Sequence, residues 1–159
     1  MTIKNLFKKV DLIGFDVDGV FTDGRIHINE DGVESKVFHT HDGQGIRQLI
    51  KAGKKILVIS GRESNATAKR MKELGITDVF LGCKNKETIF IEKSKDYEIP
   101  LSRCAFVGDD IADKSILEIV GLPISVANAH DEVKNISAYI TKKSGGAGAI
   151  REITDLLIT

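Results

Sequence analysis

The sequence predicts an α/β fold, a three-layer sandwich built around a mainly parallel β-sheet. Short apolar runs alternate with segments of helical periodicity almost from one end of the chain to the other. Strand–helix alternation of this kind implies right-handed crossovers that place helices on both faces of a parallel sheet. The apolar runs are also continuous rather than alternating, which suits strands that are buried on both faces.

Each regular element has its own pattern. The apolar runs predict strands over Val10–Phe15, Lys55–Ile59, Val79–Leu81, Cys104–Val107 and Pro123–Val126. Apolar residues at helical spacing predict helices over Gly43–Lys51, Glu63–Leu74, Lys86–Tyr97, Ala112–Val120, His130–Ile136 and Ile150–Leu157. Gly75 and Gly121 stand where helix C-caps are needed, which supports the ends of two helices.

Two segments depart from this alternation. Gly24–Phe38 has two stretches of alternating polarity around Asn29–Gly32, and this pattern predicts a β-hairpin rather than a crossover. Lys142–Ala149 is rich in glycine and predicts a flexible stretch before the last helix. We therefore expect residues 1–159 to form a single domain without a large cap, with a hairpin over residues 24–38 and a glycine-rich tail over residues 142–159.

Composition narrows the range of functions. The 23 Lys and Arg residues balance the 23 Asp and Glu residues, so the chain has no general attraction for nucleic acid or for an anionic membrane. No long apolar stretch follows the polar N-terminus, so we expect neither a signal peptide nor a transmembrane helix. Cys83 and Cys104 lie in apolar surroundings without metal-ligand spacing, which indicates free thiols and a cytoplasmic location.

Polar residues follow four of the predicted strands. In order, the strand ends lead into Asp16-Val-Asp18-Gly19, Ser60-Gly61-Arg62, Gly82-Cys-Lys-Asn-Lys86 and Gly108-Asp109-Asp110-Ile-Ala-Asp113. Because ligands in open α/β sheets bind at the carboxyl ends of the strands, we expect these residues to share one site. Crowded carboxylates repel one another unless a hard divalent cation binds between them, and Mg²⁺ prefers oxygen ligands.

These residue types suit phosphoryl transfer. A carboxylate nucleophile forms an acyl phosphate, and a second carboxylate two residues away can protonate the leaving oxygen and then take a proton from water. Ser60 can donate a hydrogen bond to a phosphoryl oxygen, and Lys86 can offset negative charge. Asp-x-Asp-Gly alone also begins calcium loops, although Val20 and Phe21 stand where an EF-hand needs an oxygen ligand and a glycine. Ser60-Gly61 and Lys86 are weak signals alone, whereas Gly108–Asp113 is stronger, because like charges packed after an apolar strand cost stability without a counter-ion. The combination predicts a magnesium-dependent phosphatase.

The same four motifs resemble those of the haloacid dehalogenase phosphatase superfamily. That resemblance implies a Rossmann-like sheet, with Asp16 as nucleophile and Asp18 as general acid and base. It also implies that Mg²⁺ is held by the carboxylates of Asp16 and Asp109 and by the backbone carbonyl of Asp18. The resemblance further implies that Asp110 and Asp113 do not bind Mg²⁺ directly but support the residues that do.

A finer resemblance rests on what separates the motifs. Only the hairpin and one helix lie between the first two motifs, so no large cap fits. The chain is similar along nearly its whole length to the capless 3-deoxy-D-manno-octulosonate 8-phosphate (KDO 8-phosphate) phosphatases. The similar strings are Phe21-Thr-Asp-Gly24, Lys36-Val-Phe38, Asp42-Gly-Gln-Gly-Ile46, Ser60-Gly-Arg62, Leu74-Gly-Ile76, Asn85-Lys-Glu87 and Gly145-Gly-Ala-Gly-Ala149-Ile-Arg-Glu152.

This similarity implies hydrolysis of KDO 8-phosphate to KDO and phosphate through an aspartyl phosphate, as part of KDO and lipopolysaccharide biosynthesis. It implies a homotetramer with the hairpins at its core and a glycine-rich tail that reaches a neighbour's active site. It nominates as substrate contacts His39, Thr40, His41, Asp42, Gly43, Arg47, Gly61, Arg62, Arg70 and Lys86. The planar fork of arginine suits both the carboxylate and the phosphate of a sugar-acid phosphate.

Alternative functions stay open at this point. Relatives that act on nine-carbon sugar-acid 9-phosphates (KDN or N-acylneuraminate type) tend to carry an acidic residue in place of Arg62, which favours the eight-carbon substrate. Ala147, His39 and His41 depart from the family's usual residues and could mark a different sugar acid. A non-catalytic oligomeric partner of a sugar nucleotidyltransferase is a further alternative. A phosphoaccepting receiver domain fits the pattern less well, since receivers place the acidic pair after the first strand and the phosphorylated Asp two strands later.

Overall fold

The computed structural model describes residues 2–159. The strands are β1 (Leu12–Phe15), β2 (His27–Ile28), β3 (Glu34–Ser35), β4 (Lys55–Ile59), β5 (Asp78–Phe80), β6 (Cys104–Gly108), β7 (Leu122–Ser125) and β8 (Tyr139–Ile140). The helices are α1 (Ile3–Lys8), α2 (Thr40–Lys51), α3 (Asn65–Leu74), α4 (Lys86–Asp96), α5 (Lys114–Leu117), α6 (Asp131–Ile136) and α7 (Ala149–Ile158). Short 3₁₀ turns span Leu101–Arg103 and Ile111–Asp113.

Six strands form one parallel sheet in the order β5-β4-β1-β6-β7-β8. Helices α1, α2, α3 and α7 contact one another in one layer, and α4, α5 and α6 form the other. The predicted three-layer α/β sandwich is confirmed, and no large cap domain covers the part of the chain that the structure describes. β1, β4 and β6 are buried along almost their whole length because helices cover both faces of the sheet.

The order of the strands creates a crevice at β1. The chain adds β4 and β5 on one side of β1, then crosses over and adds β6, β7 and β8 on the other. Crossovers that leave β1 in opposite directions separate the loops beyond its carboxyl end, and ligands bind in such crevices. The loops after β1, β4 and β6 therefore meet at one edge of the sheet.

The predicted hairpin is confirmed, although its ladder is short. His27 pairs with Ser35 and Ile28 with Glu34 in antiparallel register. The turn closes through Asn29, whose side chain accepts hydrogen bonds from the N–H groups of Asp31 and Val33. No helix between residues 2 and 159 combines the length and apolar character needed to cross a bilayer.

Two short elements were not predicted. Helix α1 buries only Phe7, so its apolar pattern is too sparse to reveal a helix. Strand β8 has two residues, and its pairing with β7 decides its conformation. The helix expected over Ala112–Val120 is broken into a 3₁₀ turn and the shorter α5.

The glycine-rich stretch over Lys142–Ala149, expected to be flexible, is packed against the rest of the chain at Gly145. Gly145 is buried, and its N–H donates to Asn128 Oδ1 at 2.9 Å. A Cβ atom on Gly145 would lie 1.7 Å from the carbonyl oxygen of Gly19. The glycines thus permit a close approach to the chain's own loop after β1, which is a different contact from the implied reach to a neighbouring active site.

Candidate active site

The loop after β1 holds two carboxylates at the edge of the sheet. The carbonyl of Val17 accepts hydrogen bonds from three following backbone N–H groups, which close a tight turn around Asp16 and Asp18. Gly19 completes the turn with φ +88°, and a Cβ atom there would lie 1.9 Å from Asp109 Oδ2. The turn therefore requires glycine for its backbone angle and for the close approach of the loop after β6.

Lys86 lies between two of the carboxylates. Its Nζ is 2.8 Å from Asp16 Oδ1 and 2.9 Å from Asp113 Oδ1, and the residue is 8% exposed. Asn85 caps α4 by accepting from the Thr88 N–H, which sets Lys86 at the first helical position. Burial opposes ionisation of Lys86, but the two carboxylates outweigh it and raise its pKa, so Lys86 is a fixed cation in the site.

Three carboxylates converge beyond this lysine. Oxygens of Asp16, Asp109 and Asp113 all lie within 4.8 Å of one another. Burial, and then the charge of Asp113, raises the pKa of Asp16 to about 6. Burial, and then the charge of Asp16, raises the pKa of Asp109 to about 8. One lysine cannot balance three carboxylates, and the donor set of closely spaced oxygens fits a hard divalent cation such as Mg²⁺.

Asp113 and Asp110 shape the loop after β6. Asp113 is fully buried, and its Oδ2 accepts from the N–H groups of Asp109 at 3.1 Å and Asp110 at 3.4 Å. Asp110 Oδ1 accepts from the Ile111 N–H at 2.8 Å and so caps the 3₁₀ turn. Since the oxygens of Asp113 already accept from backbone and from Lys86, Asp16 and Asp109 are the freer metal ligands.

Ser60 and Arg62 follow β4. Ser60 is 2% exposed, and its N–H donates to the carbonyl of Phe80 at 2.9 Å, which holds the loop against β5. Ser60 Oγ accepts from the Arg62 N–H at 3.3 Å. The Arg62 guanidinium is half exposed; it contacts the Glu34 carboxylate and lies 4.0 Å from Asp18 Oδ2.

The hairpin contributes two charged residues that the sequence analysis did not identify as part of the site. Lys36 Nζ donates to Asp18 Oδ1 at 2.6 Å and lies 3.5 Å from Glu34 Oε1. Glu34 in turn binds Arg62. Residues two apart on a strand share a face, so the alternation of the hairpin was a signal that Glu34 and Lys36 lie together. Only the tertiary fold shows that this face meets Asp18.

Nine of the predicted site residues line one cavity of about 270 Å³. Its lining consists of Asp16, Asp18, Gly24, Ser60, Gly61, Arg62, Lys86, Asp109, Asp110, Ala112 and Asp113. A larger cavity of about 530 Å³ lies near the ends of α2 and α7, but it brings together no cluster of carboxylates. The chemistry of the lining, and not the volume, identifies the smaller cavity as the candidate active site.

The loop before α2 does not line this cavity. His39 caps α2, and its Nδ1 accepts from the His41 N–H at 3.1 Å, while Thr40 and His41 are exposed. The two imidazole rings lie 5.0 Å apart. Thr40 begins α2, so the two imidazole rings lie on the same side of the chain at the start of a helix.

Asp42 and Gly43 are buried and contact the neighbouring helices. Asp42 is 1% exposed, and its Oδ1 accepts from the Arg151 N–H at 2.9 Å at the start of α7. Gly43 is also buried, and a Cβ atom there would lie 2.5 Å from a guanidinium nitrogen of Arg70. Both residues thus link α2 to α3 and α7, and their contact with substrate stays a prediction.

Arg47 and Arg70 also lie outside the cavity lining. Arg70 Nη1 pairs with Glu73 at 3.0 Å, and its guanidinium lies over the Phe38 ring at 5.9 Å. Arg47 donates to the Glu73 carbonyl at 3.4 Å from the second turn of α2. The predicted contact of both arginines with substrate stays a prediction.

The chain is similar in sequence to known phosphatases. The sequence profile of the haloacid dehalogenase-like hydrolases matches residues 84–153. The chain is 37% identical over 151 residues to the 3-deoxy-D-manno-octulosonate 8-phosphate phosphatase of Escherichia coli K12, covering 95% of this chain and 80% of that protein. The Haemophilus influenzae phosphatase of the same name is 38% identical over 143 residues, covering 90% and 79% of the two chains.

The fold is also similar to solved structures of KDO 8-phosphate phosphatases. The Moraxella catarrhalis KDO 8-phosphate phosphatase, solved with magnesium, phosphate and KDO, superposes with a TM-score of 0.95 at 38% identity, covering 98% of this chain and 90% of that one. The cobalt-bound Haemophilus influenzae phosphatase superposes with a TM-score of 0.92 at 35% identity, covering 96% and 90%.

Proposed function

The chain belongs to the KDO 8-phosphate phosphatases of the haloacid dehalogenase superfamily, and from this premise we propose that it hydrolyses KDO 8-phosphate to KDO and inorganic phosphate with Mg²⁺. The observation that carries the proposal is the placement of Lys86 between Asp16 and Asp113, beside Asp109. A buried cation flanked by carboxylates at the edge of a parallel sheet can receive a phosphate without excess negative charge.

Asp16 is the nucleophile in this proposal. One of its oxygens bonds to phosphorus while the bond from phosphorus to the sugar oxygen breaks, and the leaving oxygen takes a proton from Asp18. Water then attacks the phosphorus of the aspartyl phosphate and gives a proton to the Asp18 carboxylate, while the bond from phosphorus to the Asp16 oxygen breaks. Phosphate leaves, and Asp16 and Asp18 return to their starting states.

The surrounding residues bind and orient the phosphoryl group. Lys86 holds Asp16 in place by its 2.8 Å contact and balances charge as the phosphate arrives. Ser60 is positioned to donate its hydroxyl proton to a phosphoryl oxygen. Arg62 is exposed enough to bind the carboxylate of the sugar acid once its contact with Glu34 opens.

Asp16, Asp109 and the backbone carbonyl of Asp18 would hold Mg²⁺. Asp113 supports this set through its bonds to the backbone of the loop after β6. Bound Mg²⁺ supplies positive charge that lets an anionic carboxylate approach an anionic phosphate.

Phosphate release from a panel of sugar phosphates tests the function. We expect the chain with Mg²⁺ to hydrolyse KDO 8-phosphate in preference to nine-carbon sugar-acid 9-phosphates and to hexose phosphates. Asp16→Asn should abolish hydrolysis, because an amide is a poor nucleophile and a poor metal ligand. Preference for a nine-carbon acid would reassign the substrate, and turnover of nothing in the panel would favour a non-catalytic role beside a nucleotidyltransferase.

We also propose that the chain forms a homotetramer through its hairpin. Three apolar side chains there are largely exposed: Ile28 by 62%, Val33 by 59% and Val37 by 72%. Apolar residues that cluster on one exposed hairpin favour contact with another protein surface, and a second copy of the same hairpin supplies matching apolar residues. The alternative of a monomer leaves these side chains in water.

Light scattering tests the assembly. The wild-type chain should show four times the mass of one chain, and Val37→Asp should reduce that mass. Ile158→Asp is the matched control, since Ile158 is 44% exposed on α7, away from the hairpin. Equal effects of both substitutions, or a monomeric wild type at micromolar concentration, would contradict the hairpin interface. The cytoplasmic location expected from the cysteine content remains a prediction.

A further inference from the structure

We propose that Lys36 is a positioning residue that orients the Asp18 carboxyl group for its proton transfers. The inference rests on the proposed phosphatase function and adds a residue from the hairpin to the reaction. Three observations support it: the direct contact between Lys36 and Asp18, the burial of the Lys36 side chain, and the contacts of Glu34 with both Lys36 and Arg62.

The contact between Lys36 and Asp18 is close and shielded from water. Nζ of Lys36 lies 2.6 Å from Asp18 Oδ1. The Lys36 side chain is 1% exposed, whereas that of Asp18 is 20% exposed and faces the cavity. A charge-assisted hydrogen bond in such a setting is strong, because little water competes for the ammonium.

The bond engages one oxygen of Asp18 and leaves the other available. Oδ2 faces Arg62 Nε at 4.0 Å, which is beyond hydrogen-bond distance. When Asp18 carries a proton on Oδ2, its Oδ1 can still accept from Lys36. The pair can therefore persist in both protonation states of the reaction, and the rotation of the carboxyl group is restricted throughout.

The position of Lys36 is itself fixed by the hairpin. Glu34, on the same face of the strand, lies 3.5 Å from Lys36 Nζ and also binds Arg62. The hairpin thus joins Asp18, through Lys36, to the residue that we expect to bind the sugar acid. Misplacement of a proton donor by about 1 Å can cost about a hundredfold in rate, so a fixed carboxyl group matters for catalysis.

The leaving group of the substrate separates this role from general structural support. Departure of a sugar alkoxide requires a proton from Asp18, whereas p-nitrophenolate is a weak base that leaves without one. We expect Lys36→Met to lower kcat for KDO 8-phosphate by about tenfold to a hundredfold with little change in KM. The first burst of p-nitrophenolate from p-nitrophenyl phosphate should change by less than about threefold.

Three comparisons complete the experiment. Lys36→Arg keeps the charge and should recover part of kcat, and in the D18N background Lys36→Met should cause no further loss. Lys54→Met is the matched control, because Lys54 bonds to the Val10 carbonyl at the opposite edge of the sheet. Thermal melting of each variant reports whether it folds; if Lys36→Met does not, Lys36→Gln replaces it.

Several outcomes would overturn the inference. Equal losses on both substrates would indicate structural support, and a raised KM with unchanged kcat would make Lys36 a substrate contact. An additive loss in the D18N background would show that Lys36 acts independently of Asp18. Failure of the wild-type chain to hydrolyse KDO 8-phosphate would instead contradict the proposed function, so the two failures are distinguishable.

Discussion

Asp109 should make the metal-free protein less stable as the pH rises. Burial and the neighbouring Asp16 raise its pKa from 3.8 to about 8, so the folded state holds a proton that the unfolded state releases at lower pH. The stability linked to this proton is fully present below about pH 4 and is lost as the pH rises to about 8.

The size of the effect follows from the shift in pKa. One pKa unit corresponds to about 1.36 kcal/mol, so the shift sets an upper bound of about 6 kcal/mol. Asp109 keeps some contact with solvent, which screens its charge, and we therefore expect a loss of about 2 kcal/mol between about pH 5 and about pH 8. For a chain of this length that loss lowers Tm by roughly 4–8 °C.

Thermal unfolding in EDTA at a series of pH values measures this loss. Asp109→Asn should reduce the loss of stability with rising pH and leave the smaller part linked to Asp16, whose pKa is raised to about 6. Asp131→Asn, at a residue whose side chain is 95% exposed, should leave the loss unchanged. Adding Mg²⁺ near pH 8 should raise the Tm of the wild type, since a cation bound only by the folded state stabilises it. If plots of Tm against pH ran parallel for the wild type and Asp109→Asn, the reasoning would be refuted.

Three further substitutions test other parts of the site. Lys86→Met should lower kcat at saturating Mg²⁺ by at least about a hundredfold, because the buried ammonium that holds Asp16 and offsets the charge of the phosphate is lost; activity near wild type would contradict this. Gly145→Ala should lower Tm and activity together, since its Cβ atom would lie 1.7 Å from the Gly19 carbonyl oxygen; a variant as stable as wild type would argue against the packing. Asp42→Ala should destabilise the fold by about 1–3 kcal/mol by leaving the Arg151 N–H unpaired, as denaturant unfolding would report, with KM unchanged; a raised KM would return Asp42 to the substrate contacts.

Sequence patterns were sufficient to predict the structural features that have a local physical cause. Continuous apolar runs predicted the buried strands because a strand covered by helices on both faces has no exposed side. The hairpin followed from the alternation around Asn29–Gly32. Asp16, Ser60, Lys86 and Asp109 could be assigned to one edge because parallel strands end at the same edge of a sheet.

Other features depended on contacts between distant residues. The two-residue strand β8 is held by its pairing with β7, and so leaves too short a pattern to detect. The glycines of 145–148 were expected to be flexible because glycine permits many conformations, but the close packing of Gly145 on Gly19 uses the missing side chain instead. Asp42 was expected to face substrate, and only the position of α7 shows that it binds the Arg151 N–H.

The α/β sandwich, the hairpin and the set of carboxylates beyond the strand ends could be read from the residues alone, because short-range periodicity and parallel topology specify them. Which charged side chains contact one another became clear from the three-dimensional arrangement of the elements. The pair of Lys36 and Asp18 joins residues 18 apart in sequence across a hairpin and a turn. Such pairs depend on the relative orientation of elements, which no local pattern encodes.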